Sequence, residues 1–287
     1  MQKIRNVLLC TLVLLALAGV ITPLTGQNLR VMTYNIRFDN PADSLDSWPY
    51  RKDHLIAQVA RYAPDVLGTQ EGLIHQLEAM QQGLHGYQFF GVGRDQGDRQ
   101  GEHTAIFYRT DHLELLKSET FWLSETPDQP SKGWDAALNR ICTYGLFRHR
   151  ESGRTFYVFN THFDHIGEQA RLESAGLILR KIQELNREGY PAILMGDLNL
   201  EPDSPPILQL SGNLEDAYVK AGESAFGPPG TFNGFDRNQP ATRRIDYIFV
   251  SPGDFEVSGH AIWSEPYGRG YPSDHFPVMA DLLFAKD

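Results

Sequence analysis

The sequence predicts an α/β fold in which two β-sheets pack face to face beneath covering helices. Apolar, β-branched runs bounded by Gly, Pro, Asn or Asp recur along the chain and read as strands. Helical periodicity appears in both halves instead of being segregated in one. About 260 residues follow a distinct N-terminal stretch with no Pro/Ser-rich linker and no internal repeat, a length that suits one domain with one core. Element order alone admits other α/β folds.

Residues 1–26 stand apart. Lys3 and Arg5 precede a run from Val7 to Ile21 without a charge, the pattern of a secretory signal peptide, which leaves 27–287 as the mature domain, exported to the periplasm or beyond the cell. Ala18, Gly19 and Gly26 are the small residues available for cleavage. A retained membrane anchor is the alternative, because the uncharged run extends far enough to span a bilayer; once it is removed, no stable membrane association is expected. Cys10 lies in mid-run and not behind a small-residue lipoprotein site, so it is not read as a lipidation point. Cys142 is then the only cysteine, which forbids an intrachain disulfide and makes it a small buried hydrophobe. The formal charge of −10 becomes −12 without Lys3 and Arg5. Such a balance opposes sequence-independent attraction to nucleic acid, which rests on Lys and Arg neutralising phosphates, although a local basic groove stays open.

The elements follow in order. Residues 31–36 form a strand ending near Asn35. Residues 50–62 carry Leu55, Ile56 and Val59 at helical spacing and stop before Pro64. Residues 66–71 form a strand that delivers Glu71, and 73–84 a helix with Leu73, Leu77, Met80 and Leu84 on one face. Glu102 precedes a strand at 104–109, and Arg140 starts another. Residues 154–160 form a strand with His162 just beyond it. The longest helix is expected over 168–188, with Leu172, Ala175, Leu179, Ile182 and Leu185 inward, a solvated polar face, and Gly189 as its stop.

Three signatures then follow one another. Pro191-Ala192-Ile193-Leu194-Met195 is an apolar run that stops at Gly196, so Asp197 and Asn199, two residues apart, project together from the strand end. Asp246 lies within the apolar run Ile245-Asp246-Tyr247-Ile248-Phe249-Val250, where a bare carboxylate is costly unless paired or bound to a cation. Its partner is expected to be His275, in Ser273-Asp274-His275-Phe276-Pro277-Val278, since a carboxylate beside an imidazole holds one tautomer and stabilises its protonated form. Asn35, Glu71, His162, Asp197, Asn199, Asp246, Asp274 and His275 would thus gather at strand ends. Each has a structural rival: Asn35 could cap a turn, Asp274 could cap the turn before the last strand, and Glu102 could be one more loop charge.

In this order and combination the motifs resemble the endonuclease/exonuclease/phosphatase superfamily, over nearly everything after residue 28. The runs Gly101-Glu102-His103 and Arg140-Ile141-Cys142-Thr143-Tyr144-Gly145 look most like its nocturnin-related and secreted bacterial branches. The resemblance implies a four-layer sandwich of two mixed β-sheets flanked by helices, deoxyribonuclease I-like, with the site at one end. It implies a phosphoric ester hydrolase that uses Mg²⁺ or Mn²⁺, with Glu71 as leading ligand and Asp197 and Asp274 completing one or two metal positions. By the family pattern Asp197 orients or deprotonates water, Asn35 and Asn199 bond phosphate oxygens, and His275 with Asp246 acts as acid or base. His162, oriented by Glu102, stabilises charge or assists the leaving group. Arg140 either clamps phosphate, as a planar fork can, or makes a surface ion pair. The position two after Asn35 is Arg37, not an acid, a departure from the abasic-endonuclease pattern.

Two loops, 230–235 and 131–135, mix glycine, an aromatic and a polar group. They face substrate or serve as anchors through Phe232 and Trp134. Asp164 and His165 read as either a substrate-facing or a solvated loop. The expected partner is a small or nucleotide-like phosphate ester. A secreted nuclease, a sphingomyelinase-like phospholipid hydrolase lacking a convincing membrane hairpin, and a binding protein that lost the reaction are the competing classes. Oligomeric state is not legible.

Overall fold

Side-chain alternation along the central strands sorts the chain into layers. The computed structural model describes residues 28–268 and 270–285; the expected leader and Cys10 lie outside the described residues. In β1 (Asn28–Asn35), Leu29 and Val31 face one side while Met32 and Tyr34 face the other. In β8 (Ala192–Asp197), Ile193 and Met195 join the same central core as Leu29 and Val31, and Ala192 and Leu194 turn outward to helices. Strands covered on both faces read as unbroken apolar runs, which is why these segments lack polar alternation.

One sheet has seven strands in the order β10-β12-β13-β1-β2-β4-β3 and the other six in the order β5-β6-β7-β8-β11-β9. The remaining strands are β2 (Val66–Gln70), β3 (Tyr87–Phe90), β4 (Ile106–Arg109), β5 (Leu113–Trp122), β6 (Ile141–His149), β7 (Thr155–His162), β9 (Glu215–Asp216), β10 (Ala225–Phe226), β11 (Asp246–Val250), β12 (Phe255–Ile262) and β13 (Val278–Phe284). Parallel and antiparallel pairs occur in both sheets. Helices α1 (Trp48–Tyr62) and α2 (Ile74–Gly83) cover the first sheet through Leu55, Val59, Leu77 and Met80. Helices α3 (Glu168–Leu185) and α4 (Pro205–Ser211) cover the second through Ala175, Ile178, Ile207 and Leu210, and a short α5 (Ala217–Ala221) leads towards the sheet edge. The architecture is the four-layer α/β sandwich expected of a deoxyribonuclease I-like fold.

Several boundaries differ from the sequence reading. The long helix ends at Leu185, not near residue 188, because the Asn186 amide bonds both the N–H (2.8 Å) and the C=O (2.6 Å) of Tyr190 and bends the chain there. Gly189, with φ 68°, serves that turn instead of ending the helix. The buried face of α3 centres on Ala175 and Ile178, leaving Leu172 43% exposed. The first helix starts at Trp48, with Pro49 in its first turn where a missing N–H costs nothing. Strand β7 runs on through His162. Cys142 is free and buried.

The layer between the sheets changes character towards one end. There Gln70 donates to Asn160 Oδ1 (2.7 Å) and Thr33 Oγ1 (3.0 Å), and the Asn160 amide donates to the carbonyls of Thr69 (2.9 Å) and Ala105 (3.0 Å). Paired polar groups in the core tie the sheets together directly beneath the functional residues.

Candidate active site

Strand register decides which side chains meet. In the antiparallel β8/β11 pair Asp197 lies opposite Asp246, and in the parallel β7/β8 pair His162 lies opposite Asp197. Asn35 ends β1, and Glu71 follows β2. The loop before β13 is tied to β1 by Ser273 Oγ, which donates to the Asn35 carbonyl at 2.7 Å. A fully buried Arg51 donates to the carbonyls of Ile36 and Arg37 (each 2.6 Å), Asp46 (2.8 Å) and Pro272 (3.0 Å), joining the loop that carries Arg37 to the one that carries Asp274 and His275.

Asn35 Nδ2 sits 3.0 Å from both Glu71 Oε1 and Asp197 Oδ2, and 3.5 Å from His275 Nε2. His275 Nδ1 is 2.9 Å from Asp246 Oδ2, the pairing expected from sequence, while its Nε2 lies 3.7 Å from Asp197. Asp246 Oδ1 is buried without a partner among the described residues. On the other flank His162 Nε2 is 3.4 Å from Asp197 and 3.1 Å from the Asn199 amide. Arg37 (φ 55°), Glu71 (φ 64°) and Asn199 (φ 53°) all adopt left-handed backbone. Each costs on the order of 1–3 kcal/mol for a non-glycine residue, strain that characteristically collects at functional sites.

The surroundings shift the two histidines in opposite directions. Burial, then the Arg140 and Arg94 guanidiniums, push His162 well below the ordinary imidazole range and keep it neutral. Burial also opposes charge on His275, but the carboxylates of Asp246 and Asp197 outweigh it and raise the ring well above that range. Asp197 is pushed up to about 7 by burial and by the Asp246 charge. Burial likewise raises Glu102 to about 7 despite Arg94.

The expectation that Glu102 orients His162 is corrected. Both Glu102 oxygens are taken by Arg94 at 2.7 Å, and Glu102 borders the site through that pair. Arg140 is a buried residue with one free arm, not a surface ion pair. Its Nε reaches Asp164 Oδ2 at 3.3 Å and its Nη2 reaches His165 Nδ1 at 3.0 Å, while Nη1 is buried without a partner among the described residues. A buried unpaired guanidinium nitrogen is costly unless an anion completes it. Phe232 packs edge-on against His275 at 5.1 Å, so the 230–235 loop is part of the site; Trp134 packs on the core of the second sheet and Asp135 accepts the N–H of Ala170 in the first turn of α3, so the 131–135 loop is an anchor.

Apart from Arg140, the arginines are the part of the site that the sequence reading misses. Arg37 was noted only as the absence of an acid. Its Nη1 lies 3.9 Å from Glu71 and 3.8 Å from Asp274, while Asp43 takes its other nitrogens at 2.9 Å. Arg94 and Arg243 had no motif to mark them, since their role depends on distant partners. With Arg140 they line a cavity of about 450 Å³ whose floor is Glu71, His162, Asp197, Asn199, Asp274 and His275. A larger opening of about 750 Å³ at the opposite end of the sheets holds none of these residues, and several of its charges pair with one another, as in Arg30 with Asp281 and Arg109 with Asp111.

The donor set suits a hard divalent cation. Glu71 and Asp274 present carboxylate oxygens to the cavity beside Asp197, whereas Asp246, close to Asp197, is engaged by His275.

Fold and site together have the form of a family whose members hydrolyse phosphate esters. The chain belongs to the endonuclease/exonuclease/phosphatase family, whose model matches residues 32–275. Among solved structures it is similar to a Bacteroides thetaiotaomicron member of that family (TM-score 0.88, 43% identity, covering 91% of this chain and 99% of that one). It is similar also to a Bacteroides thetaiotaomicron mannosyl-6-phosphatase (TM-score 0.86, 44% identity, 89% and 100% coverage). Human nocturnin is 24% identical over 92% of this chain and 67% of its own length. A probable RNA exonuclease of Saccharomyces cerevisiae is 29% identical over 67% of this chain, which spans only 42% of that relative.

Proposed function

We propose that this protein is an exported, divalent-metal-dependent phosphomonoesterase that hydrolyses a sugar phosphate. The observation that carries the reading is a cavity of about 450 Å³, lined by four arginines, whose floor holds the acid, base and ligand groups. That volume suits a monosaccharide phosphate. The 44% identity to a mannosyl-6-phosphatase along its full length supports the same substrate class. Export rests on the charged start and uncharged run of residues 1–26.

Glu71 and Asp274 would hold Mg²⁺ or Mn²⁺, which when bound would shield the phosphate oxygens and stabilise the departing alkoxide until it takes a proton from solvent. Asp197, raised to about 7, takes the proton of the attacking water, and the Asn199 amide orients that water. The His275 imidazolium, held by Asp246, hydrogen-bonds a non-bridging oxygen where negative charge builds. Arg140 Nη1 gains its missing partner from another oxygen of the phosphate. His162 stays neutral and bounds the pocket on the far side of Asp197.

A nuclease reading draws on the RNA exonuclease relative, but the formal charge of −10 disfavours a long polyanion. Hydrolysis of hexose 6-phosphates, an aryl phosphomonoester, an aryl phosphodiester and single-stranded RNA, each with Mg²⁺, Mn²⁺ or chelator and with His275→Ala as control, separates the two. Metal-dependent turnover of the monoesters, lost in the variant, is the expected result. Preferential cleavage of RNA overturns the proposal.

A further inference from the structure

His165 borders the cavity as an exposed side chain three residues past the end of strand β7 and one past Asp164. Its backbone is held. Asp164 Oδ1 accepts the N–H groups of Ile166 (2.9 Å) and Gly167 (2.8 Å), and the Asp164 carbonyl accepts from Arg171 at 3.2 Å. The ring is held too, by the 3.0 Å bond between its Nδ1 and Arg140 Nη2. A guanidinium can only donate, so Nδ1 must accept. The ring is therefore neutral, with its proton on Nε2, and no hydrogen bond to Nε2 occurs among the described residues.

We infer that His165 is a specificity-determining residue whose Nε2–H donates to a hydroxyl oxygen of the leaving group, selecting phosphate esters of polyhydroxylated alcohols. The inference rests on the sugar-phosphate reading above and deepens it. Arg140 is the link: its Nε is fixed by Asp164, its Nη2 sets the tautomer of His165, and its unpaired Nη1 is left for the phosphate. One planar group thereby places a phosphate contact and a leaving-group contact at a fixed separation, a form of preorganisation that discriminates between leaving groups.

The test compares kcat/KM on a hexose 6-phosphate with kcat/KM on 4-nitrophenyl phosphate, whose leaving group carries no hydroxyl neighbours. In His165→Ala the ratio of the two should fall at least about tenfold, mostly through KM for the sugar ester. His165→Gln, which carries an N–H donor near the position of Nε2, should recover much of the ratio. His165→Asn, which keeps an acceptor towards Arg140 without that donor, should not. If wild type hydrolyses both substrates and the ratio stays within twofold in all three variants, or both activities fall together, the inference is overturned while the sugar-phosphate reading stands. A wild type that hydrolyses the aryl ester and no sugar phosphate overturns both.

Discussion

His275 Nδ1 lies 2.9 Å from Asp246 Oδ2, and the second oxygen of that buried carboxylate has no partner among the described residues. The pair joins a loop before β13 of one sheet to the first residue of β11 in the other, so the charge state of the imidazole depends on how the sheets pack. Asp246→Asn keeps the shape and removes the charge that keeps His275 protonated. It should lower kcat by roughly 10²–10⁴ with little change in KM. An undiminished kcat in a folded variant would sink the assignment of His275 as a charged donor.

Arg37 supplies a fixed positive charge beside Glu71 and Asp274, 3.9 and 3.8 Å away. With that cation built in, the site should take up a single divalent ion with modest affinity. Arg37→Asp reverses the local charge and should tighten Mn²⁺ binding by about tenfold or more, because carboxylate count tunes such sites. Titration calorimetry or the free-Mn²⁺ electron paramagnetic resonance signal reads both affinity and stoichiometry. Equal binding by wild type and variant would remove Arg37 from the metal argument.

Gly196 has φ 150°, and a Cβ there would sit 2.0 Å from the Thr161 carbonyl oxygen. Backbone cannot yield as a flexible side chain can, so β8 must part from β7 just before Asp197. Gly196→Ala should cost about 3 kcal/mol in denaturant unfolding and displace Asp197 from His162 and Asn35. A variant with wild-type stability and rate would show that this close approach is dispensable.

His260 is buried in an edge-to-face contact with Tyr218, and its Nδ1 has no partner among the described residues. Burial, then the Arg244 charge, depress it from 6.5 to about 4. A base depressed by folding is neutral in both states above pH 6.5 and takes a proton first in the unfolded chain as pH falls. Stability is therefore complete above 6.5 and is lost between 6.5 and 4, by at most roughly 3 kcal/mol. His260→Phe should flatten the unfolding free energy across that window. An identical slope in the variant would assign the acid sensitivity to other groups.

The local chain determined a good deal of this protein. Apolar runs that stop at Gly196 and Glu71, helical spacing before Pro64, and the order of the three signatures identify strands, helices and a phosphoesterase family, because a strand end and a motif are properties of neighbouring residues. The Asp246–His275 pair was legible for a related reason: a carboxylate inside an apolar strand demands a partner. Tertiary packing decided what depends on residues far apart in the chain. Glu102 answers to Arg94 and not to His162, Arg140 fixes the tautomer of His165, and Arg37 fills the space between two acids. Whether a histidine is charged also belongs to this level. His162 and His275 are the same side chain at the same end of the molecule, and only the guanidiniums around one and the carboxylates around the other separate them.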